Sequence, residues 1–542
     1  MRPSYFAKLI GTSLGVIVAG AIAGHVLTPH VVSSQAPMAV WVVPSLVRVG
    51  PTDAHGSVSS IVLSGARGEY VDAQLVVSAP SNATLTDVDV TVTDLIGPGG
   101  AVIAQSNYSL YREHYVHFDT GSLDFGPFAT NRPLPPGTYP DALIPFNDPE
   151  TGAPLSGNGA SLQAVPFAVA AGHNQPIWID LFVPRGAPRS PPGTYHGSVV
   201  VTSSQGQTTV PVSLSVWNFE LPLVPSEKTL FFIFNNAHGV VKANQTALLR
   251  HKIMPMRMWN PSFAPSQIAD FGLSRTDLLY YGAATCHSIE PAPSVSDIQS
   301  QVAMYPPGLS LDIYPADEVS GCTAIYPALK EWARNAHAAG VKIVITMQPD
   351  PALYDDGSGT GAPAVDHWVL LPRQWPASLA GVPGEVWSYN NLGGDHYSPK
   401  WQIDFLPINY RIQAGFLNQM LGATGLLYWS VDAWPSEATA WDNVLLGPIS
   451  GAYWPGEGIL IYPGSRVGTA EPAPSMRLKY LRDGIQDYEY VELLKQRNGL
   501  SFINAVIRPI ARDWHTWTQD QNLLESVRLE AGRELHRLSS VN

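Results

Sequence analysis

The first part of the chain is a series of short apolar runs with turn residues between them. Up to residue 221 these runs alternate apolar and polar positions or are rich in β-branched residues, and they include VDAQLVVSA, VDVTVTDL, PIWIDLFVP, GSVVVTSS and TTVPVSLSVW. A period of two, interrupted by Gly, Pro, Asn and Asp, is typical of antiparallel sheets packed face to face. We therefore predict an antiparallel β-sandwich over residues 38–222, with a long surface excursion at residues 118–163, where Pro, Gly, Asp and Asn are dense.

After residue 225 the apolar runs alternate with helical stretches. The eight candidate strands are TLFFIFN, IMPMRMW, LLYYGA, LDIYPADE, VKIVITM, DHWVLL, EVWSYN and GLLYWSV. Eight parallel strands with helical crossovers close a (β/α)8 TIM-like barrel, although the connection between the fifth and sixth strands has no helical pattern. We predict such a barrel over residues 226–500 and C-terminal helices over residues 501–542. The expected fold class is thus multidomain β plus α/β.

The first 36 residues have the pattern of an export segment. Arg2 and Lys8 precede the apolar stretch LIGTSLGVIVAGAIAGHVL, and Ser34-Gln35-Ala36 has the spacing of a cleavage site. The stretch is also long enough for an uncleaved membrane anchor, and Pro37 disfavours cleavage after Ala36. Both a signal peptide and an N-terminal anchor fit over residues 1–36. Either one predicts an extracytoplasmic protein, secreted or tethered.

Composition narrows the class of partner. The net charge is −13 and no Lys/Arg cluster stands out, which excludes a nucleic-acid partner. Twelve of the 15 Trp follow residue 222, and flat aromatic rings suit the apolar faces of sugars, so we expect a glycan substrate. In an exported chain, Cys286 and Cys322 form either one disulfide or two buried thiols. Neither Cys nor His has metal-ligand spacing, so we expect no metal and no cofactor.

Two neighbouring carboxylates follow the fourth candidate strand, in Tyr314-Pro315-Ala316-Asp317-Glu318. Successive strand side chains point to opposite sides, so this pair does not suit the roles of acid and opposed nucleophile at one bond. It does suit substrate-assisted hydrolysis, in which one carboxylate orients a 2-acetamido group and the other protonates the leaving oxygen. The structural alternative is a charged pair on a solvated surface.

Further side chains at the ends of the late strands complete the predicted site. Aromatic residues that could contact substrate, beside Tyr314, are Trp368, Trp387, Tyr389, Trp429 and Trp434. Asp432 is a third acid, which could act as nucleophile or base with Glu318 on a sugar without an acetamido group. A third hypothesis is a non-catalytic, polysaccharide-binding wall protein. No Ser of the barrel lies in a G-x-S-x-G motif, which leaves serine-esterase chemistry without support.

Several motifs resemble those of proteins that carry a domain of unknown function allied to the glycoside hydrolase family 123 catalytic domain. In the first part they are ARGEY (66–70), QLVV (74–77), PGTYHG (192–197) and VWNFELP (216–222). In the second part they are Asp317-Glu318, GEVWSY (384–389), GLLYW (425–429) and the most specific one, RLKYLRDGIQDYEY (477–490). The resemblance covers most of the chain after the export segment.

The resemblance implies a β-sandwich followed by a (β/α)8-like barrel, with β-N-acetylgalactosaminidase activity by the acetamido-assisted route. It implies that Asp317 orients the acetamide, that Glu318 is the acid/base and that Tyr389 holds the acetamide carbonyl. This sequence has Val319 where similar proteins often have Pro, and Ser388 where they often have Trp. We expect the 482–490 segment to be structural, with Arg482 and Asp487 joining a late helix to the barrel by ion pairs and caps.

Overall fold

The computed structural model describes residues 38–234, 241–258, 260–392, 394–449 and 451–540. The predicted export segment lies outside these residues. Among the helices that are described, none combines the length and the apolar character needed to cross a bilayer.

Twelve strands lie between residues 38 and 221 of the described chain. They are β1 (Ala39–Val43), β2 (Ile61–Arg67), β3 (Tyr70–Ser78), β4 (Leu85–Val92), β5 (Leu95–Ile96), β6 (Val102–Ile103), β7 (Tyr108–Phe118), β8 (Gly137–Pro145), β9 (Phe167–Val169), β10 (Asn174–Phe182), β11 (Gly193–Ser203) and β12 (Gly206–Glu220). One sheet has the order β1-β3-β10-β7-β8 and is antiparallel throughout. The other has the order β2-β12-β11-β4-β9, with a parallel pair at β2 and β12.

The two sheets bury side chains in one shared hydrophobic core. Leu75 and Ile177 face each other across β3 and β10, and Val199 and Leu214 enter the same core from β11 and β12. Alternate residues of these strands point toward the core, as the period of two in the sequence predicts.

The predicted surface excursion at residues 118–163 contains a strand that the sequence analysis did not expect. This strand, β8, pairs with β7 along its whole length. Its two prolines, Pro140 and Pro145, had indicated a loop. Because β8 lies at the edge of its sheet, a proline there interrupts no ladder on the outer side. The excursion is therefore partly a sheet edge and not a loop throughout.

Eight strands form in the second part and lie side by side in one nearly closed ring, but the third lies upstream of its predicted run LLYYGA (278–283) and overlaps that run only at Leu278. They are β13 (Lys228–Phe232), β14 (Pro255–Met256), β15 (Arg275–Leu278), β16 (Ser310–Ile313), β17 (Lys342–Thr346), β18 (His367–Leu370), β19 (Glu385–Asn390) and β20 (Gly425–Tyr428). Every pair in the ring is parallel. The ring is open between β14 and β15, where the Thr276 hydroxyl donates to the carbonyl of Pro255.

Helices surround the ring and end the chain. They are α1 (Val241–Arg250), α2 (Ala264–Phe271), α3 (Val295–Val302), α4 (Tyr326–Ala338), α5 (Ile408–Ile412), α6 (Asn418–Leu421), α7 (Met476–Gln496), α8 (Leu500–Phe502) and α9 (Gln521–Ser540). Between β17 and β18 the structure has one short 3-10 turn, Pro351–Leu353, in agreement with the missing helical pattern. Three small antiparallel hairpins complete the fold, formed by β21 (Leu445–Ile449) with β22 (Ala452–Pro455), β23 (Ile461–Tyr462) with β24 (Ala473–Pro474), and β25 (Ala511–Asp513) with β26 (Thr516–Trp517).

Helix α7 carries the RLKYLRDGIQDYEY motif and is buried along almost its whole length. Its Arg482 pairs with Asp72 on β3 and Asp180 on β10, while its Asp487 pairs with Arg411 on α5. The expected ion pairs therefore form, but Arg482 reaches the antiparallel sheet and not the barrel. Because a buried charge is stable only with a partner, these pairs fix α7 between the two parts of the chain.

Candidate active site

The interior of the ring ends at its carboxyl face in an aromatic layer. Phe232, Tyr314 and Tyr389 share one interior cluster, whereas Ile313 and Trp368 point outward into another. This alternation follows from strand geometry, in which neighbouring residues face opposite sides. Tyr314 is thus the residue at which β16 leaves the barrel interior and enters the loop that carries both predicted acids.

Asp317 is held by two neutral hydroxyl groups. Its Oδ1 accepts hydrogen bonds from the Tyr314 hydroxyl at 2.7 Å and from the Thr346 hydroxyl at 2.5 Å. Thr346 is the last residue of β17, so the loop after β16 is tied to the neighbouring strand. Both protein donors bind Oδ1, which leaves Oδ2 of this exposed carboxylate as the oxygen that a substrate can reach.

Glu318 points in a different direction because its backbone leaves strand geometry. Its φ is +48°, in the left-handed region that residues with a side chain seldom adopt. The backbone N–H of Glu318 donates to the Thr346 hydroxyl at 2.8 Å, and its Oε1 accepts from the Asn391 amide at 3.3 Å. The carboxylates of the two neighbouring acids therefore have different partners, and both are open to solvent.

Left-handed residues other than glycine are concentrated at this face. Seven such residues occur in the described chain, and four of them follow ring strands: Arg257, Ala283, Glu318 and Leu392. Unfavourable backbone conformations of this kind cluster at functional sites, where the surrounding structure holds them in place. These backbone conformations by themselves make the carboxyl face the best candidate for the functional site.

A small hollow of about 90 Å³ opens beside Tyr314. Its lining consists of four aromatic side chains, one leucine, one acid and one base: Phe232, Tyr280, Tyr281, Tyr314, Leu279, Asp277 and Arg257. Burial raises the pKa of Asp277 to about 7, against the opposing effect of the Arg257 backbone N–H that donates to it and of the Arg257 guanidinium. The hollow therefore offers ring faces and two polar groups next to the predicted acids.

Tyr389 is buried at the same face, close enough to three carboxylates to be affected by their charges. Burial raises the pKa of its phenol well above the usual value, and the charges of Asp317, Glu318 and Glu457 add to this. Glu457 accepts hydrogen bonds from the Trp429 indole at 2.7 Å and from the Gln402 amide at 2.5 Å.

Glu457 carries no strand-end signal in the sequence, because it lies in a loop well beyond the eighth strand. Its one local signal is the pair of flanking glycines, Gly456 and Gly458, which both have positive φ. Burial raises the pKa of the Glu457 carboxyl, while its hydrogen bonds from Trp429 and Gln402 lower it. Glu457 thus joins Trp429 to this face.

The predicted aromatic residues separate into two groups. Trp429 is half-buried at the carboxyl face, and Trp434 is partly buried, with its indole N–H bound to the Ile461 carbonyl at 2.8 Å. Trp368 and Trp387 are fully buried, with indole N–H groups on Pro383 and Glu385. Neither of the buried pair is accessible to a sugar, because Trp368 points outward and Trp387 lies deeper in the ring. The structure thus corrects the expectation that Trp368 and Trp387 contact substrate.

Asp432 has a backbone partner at the end of the ring. It is buried, and its Oδ1 accepts the N–H of Phe234 at 2.9 Å, which joins the end of β20 to the end of β13. A carboxylate held in this way positions the two strands, and this makes it a poorer nucleophile than the exposed pair. The structure gives the alternative mechanism through Asp432 no support.

Cys286 and Cys322 form a disulfide, with Cα atoms 4.5 Å apart. The bond joins the loop after β15, which carries Tyr280 and Tyr281, to the loop after β16, which carries Glu318. Of the two alternatives that the sequence left open, the bridge is the one that forms. Within the described ranges no group of three or more His, Cys, Asp or Glu residues is arranged to hold a metal ion.

Two protein-family models match separate parts of the chain. The glycoside hydrolase 123 N-terminal domain matches residues 48–203, and the glycoside hydrolase 123 catalytic domain matches residues 405–494. The second match ends at residue 494, within the last turn of α7, and it does not extend to Asp317 and Glu318. No curated protein matches the sequence.

A solved structure supports the same fold, and two others are more distant. A family 123 glycoside hydrolase from Clostridium perfringens, described for glycolipid glycan hydrolysis, is 13% identical, with a TM-score of 0.66 over 93% of this chain and 98% of that one. A family 39 glycoside hydrolase from Bacteroides cellulosilyticus WH2 is 9% identical, with a TM-score of 0.30 over 79% and 82%. A β-glucuronidase from Parabacteroides merdae is 9% identical, with a TM-score of 0.29 over 83% and 52%; these last two share too little of the fold to inform the assignment.

The resemblance seen in the motifs is therefore confirmed at both ends of the chain. The two family models match in the expected order, and the structure with the TM-score of 0.66 covers nearly the whole of both chains. These findings show that the chain is a glycoside hydrolase that resembles family 123 in the two matched segments and in its fold.

Proposed function

We propose that this protein is an exported glycoside hydrolase that cleaves N-acetylhexosaminides, in the manner of a β-N-acetylgalactosaminidase, by substrate-assisted retaining catalysis. The observation that carries the proposal is the different environment of two adjacent acids. Asp317 is fixed by the hydroxyls of Tyr314 and Thr346, and Glu318 is turned away from it by its left-handed backbone. Such a pair suits two different tasks on one substrate better than a shared task on one bond.

In the first step, Asp317 Oδ2 accepts the N–H of the 2-acetamido group and increases the electron density on the amide oxygen. That oxygen attacks the anomeric carbon while the bond to the leaving oxygen breaks, and protonated Glu318 gives its proton to the leaving oxygen. In the second step, Glu318 takes a proton from water, whose oxygen attacks the anomeric carbon and reopens the cyclic intermediate. The configuration is retained, and Glu318 ends protonated as it began.

Tyr389 has the right chemistry to hold the acetamide carbonyl. Because its pKa is raised, the phenol keeps its proton at every pH at which the protein would work, so it can donate a hydrogen bond. Trp429 offers a half-buried ring face at the same end of the barrel. The hollow with Arg257 and Asp277 supplies polar groups for sugar hydroxyls.

A disulfide is stable outside the reducing cytoplasm, so the Cys286–Cys322 bond supports export, as the N-terminal sequence pattern does. We assign the two sheets as a β-sandwich that braces a (β/α)8 barrel, supported by the buried ion pairs of α7. Since the similar Clostridium perfringens enzyme is described for glycolipid glycans, we propose the glycan of a glycolipid as the natural substrate class.

A panel of soluble aryl glycosides tests the proposal. We expect turnover of the N-acetyl-β-galactosaminide, no turnover of the matched β-galactoside that lacks the acetamido group, and competitive inhibition by the corresponding N-acetyl thiazoline. The thiazoline imitates the cyclic intermediate, so it inhibits only the assisted route. Turnover of both glycosides without thiazoline inhibition would favour another nucleophile. Glycan binding without any turnover would favour the wall-protein hypothesis.

A further inference from the structure

The loop between β7 and β8 exposes three apolar side chains within six residues. In Leu123-Asp124-Phe125-Gly126-Pro127-Phe128, the exposed fractions are 43% for Leu123, 42% for Phe125 and 92% for Phe128. A single exposed apolar residue is ordinary, but a group of three with one phenyl almost wholly in water marks an interaction surface. We call residues 123–128 the apolar tip.

Hydrogen bonds give the apolar tip a defined shape. Asp124 Oδ1 accepts the Gly126 N–H at 2.9 Å and the Arg132 Nε–H at 3.0 Å, and the Ala129 N–H closes the turn on the Gly126 carbonyl at 3.0 Å. The carboxylate of Asp124 and the guanidinium of Arg132 form an ion pair, so their charges cancel. The tip is therefore an ordered, apolar surface without net charge.

The apolar tip is attached to the same face as the predicted acids. The N–H groups of Thr130 and Asn131 both donate to the carbonyl of His396, at 3.1 and 3.3 Å, and the Asn131 amide donates to the Ser398 carbonyl at 2.8 Å. His396 and Ser398 belong to the segment between β19 and α5. The same segment begins with Asn391, whose side chain binds Glu318. One loop thus contacts both the candidate acid and the base of the apolar tip.

We propose that the apolar tip inserts into the interface of a zwitterionic lipid bilayer and holds the carboxyl face of the barrel next to membrane-borne glycans. The inference rests on the proposed function, because a glycolipid presents its sugar directly above such a surface. Phenyl groups partition into the bilayer interface, while the net charge of −13 and the neutral tip disfavour binding to anionic lipids. The charge and the position of the tip therefore both favour a zwitterionic membrane.

Insertion can be measured locally on the full chain. The two native cysteines are bridged, so Phe128→Cys introduces one free thiol for a polarity-sensitive dye. We expect the emission of the dye to shift to the blue when phosphatidylcholine vesicles without glycolipid are added. Val62→Cys is the matched control, since Val62 is 74% exposed on β2, in the other sheet, and its dye should not respond. No shift at position 128, or equal shifts at both positions, would overturn the proposal.

A second experiment measures the consequence for activity. We expect the Phe125→Ser/Phe128→Ser double variant to hydrolyse a GalNAc-terminated glycolipid in phosphatidylcholine vesicles about tenfold more slowly than the wild type, because two buried phenyl groups are lost. Its kcat/KM on the soluble aryl glycoside should stay within about twofold of the wild-type value. Equal losses on both substrates would overturn the proposal, as would a wild-type dimer in solution that the double variant abolishes, since the tip would then serve a second copy. Failure of the wild type on the soluble substrate would instead count against the proposed function, because the dye measurement needs no turnover.

Discussion

The two ends of the strand ring both hold carboxylates, but the carboxylates at each end have different partners. At the amino end, Asp312 is fully buried between Arg275 Nε at 3.5 Å and His367 Nε2 at 3.2 Å. Close by, Glu385 pairs with the ammonium group of Lys228. Acids and bases lie side by side at this end, and such pairing is what allows charged groups to stay inside a barrel.

At the carboxyl end, the partners of the two predicted acids are neutral. Hydroxyl groups of Tyr314 and Thr346 bind Asp317, and an amide binds Glu318. Both acids are exposed to solvent, so a substrate can reach them without first breaking an ion pair. The two acids that we propose as catalytic thus differ from the buried acids of the ring in the kind of partner they have, since theirs are neutral and those of the buried acids are cationic.

The largest effect should come from removing the proton donor. We expect Glu318→Gln to lower kcat by about 10³-fold on aryl glycosides with poor leaving groups, because a general acid contributes on the order of 10²–10⁴-fold. Steady-state kinetics on leaving groups of different pKa would measure this. The control is Glu385→Gln at the other end of the ring, which should retain kcat. An equal loss of kcat in the two variants would contradict the proposal that the acids at the two ends of the ring have different roles.

Next in size is the loss of a structural acid. We expect Asp312→Asn to reduce the free energy of unfolding by about 3–5 kcal/mol, because Arg275 and His367 would be left buried beside a neutral amide. Asp317→Asn should cost less than about 1 kcal/mol, since that carboxylate is exposed and has no cation to release. Urea denaturation of the two variants would compare these values. An Asp317→Asn variant as unstable as Asp312→Asn would contradict the assigned roles.

The contribution of Asp277 to the free energy of unfolding is intermediate in size, and it depends on pH. Its folded pKa of about 7 is above the usual value of 3.8, so the protonated form is favoured by folding. The stability due to this group is complete below about pH 4 and is lost as pH rises toward and through 7. Between pH 5 and pH 8 the wild type should therefore lose about 2 kcal/mol more than Asp277→Asn. Denaturation curves at the two pH values test this, and parallel losses would contradict the burial argument.

The smallest effect should come from the hydroxyl groups that hold Asp317. We expect Thr346→Val to lower kcat by about tenfold with little change in KM, because the carboxylate would lose one of its two donors and the Glu318 N–H its acceptor. Thr346→Ser keeps the hydroxyl and should restore most of the rate. Kinetics of the two variants separate positioning from packing: a Ser variant as slow as the Val variant would show that the methyl group, and not the hydroxyl, matters.

The sequence predicted the elements whose periodicity is strong and missed those that depend on distant partners. Seven of the eight ring strands overlap a predicted apolar run by two or more residues, whereas β15 has the sequence RTDL and lies upstream of the run predicted for it. The missing helix after β17 agrees with the absence of helical periodicity in that connection. Strand β8 was missed, because its prolines have the local signature of a loop and only its edge position makes them acceptable. The partner of Arg482 was also misplaced, since nothing local to α7 shows which layer it faces.

As with the secondary structure, the sequence indicates only some residues of the candidate site. Asp317 and Glu318, which stay a prediction, could be proposed from the sequence because they lie in the loop just after a candidate strand. Glu457 could not be found, since a long loop returns it to the ring from beyond β20. The burial of Trp387 was equally hidden, because its depth in the ring depends on the register between neighbouring strands.

In the proposed mechanism, the acetamido oxygen of the substrate performs the attack while Asp317 holds the amide. The most direct measurement is kcat/KM on aryl N-acetyl-β-galactosaminides whose acetyl group carries none, one, two or three fluorines, since each fluorine weakens the amide oxygen as a nucleophile. We predict a steep, monotonic fall in rate along the series for the wild type. A rate that does not depend on the number of fluorines would contradict the account.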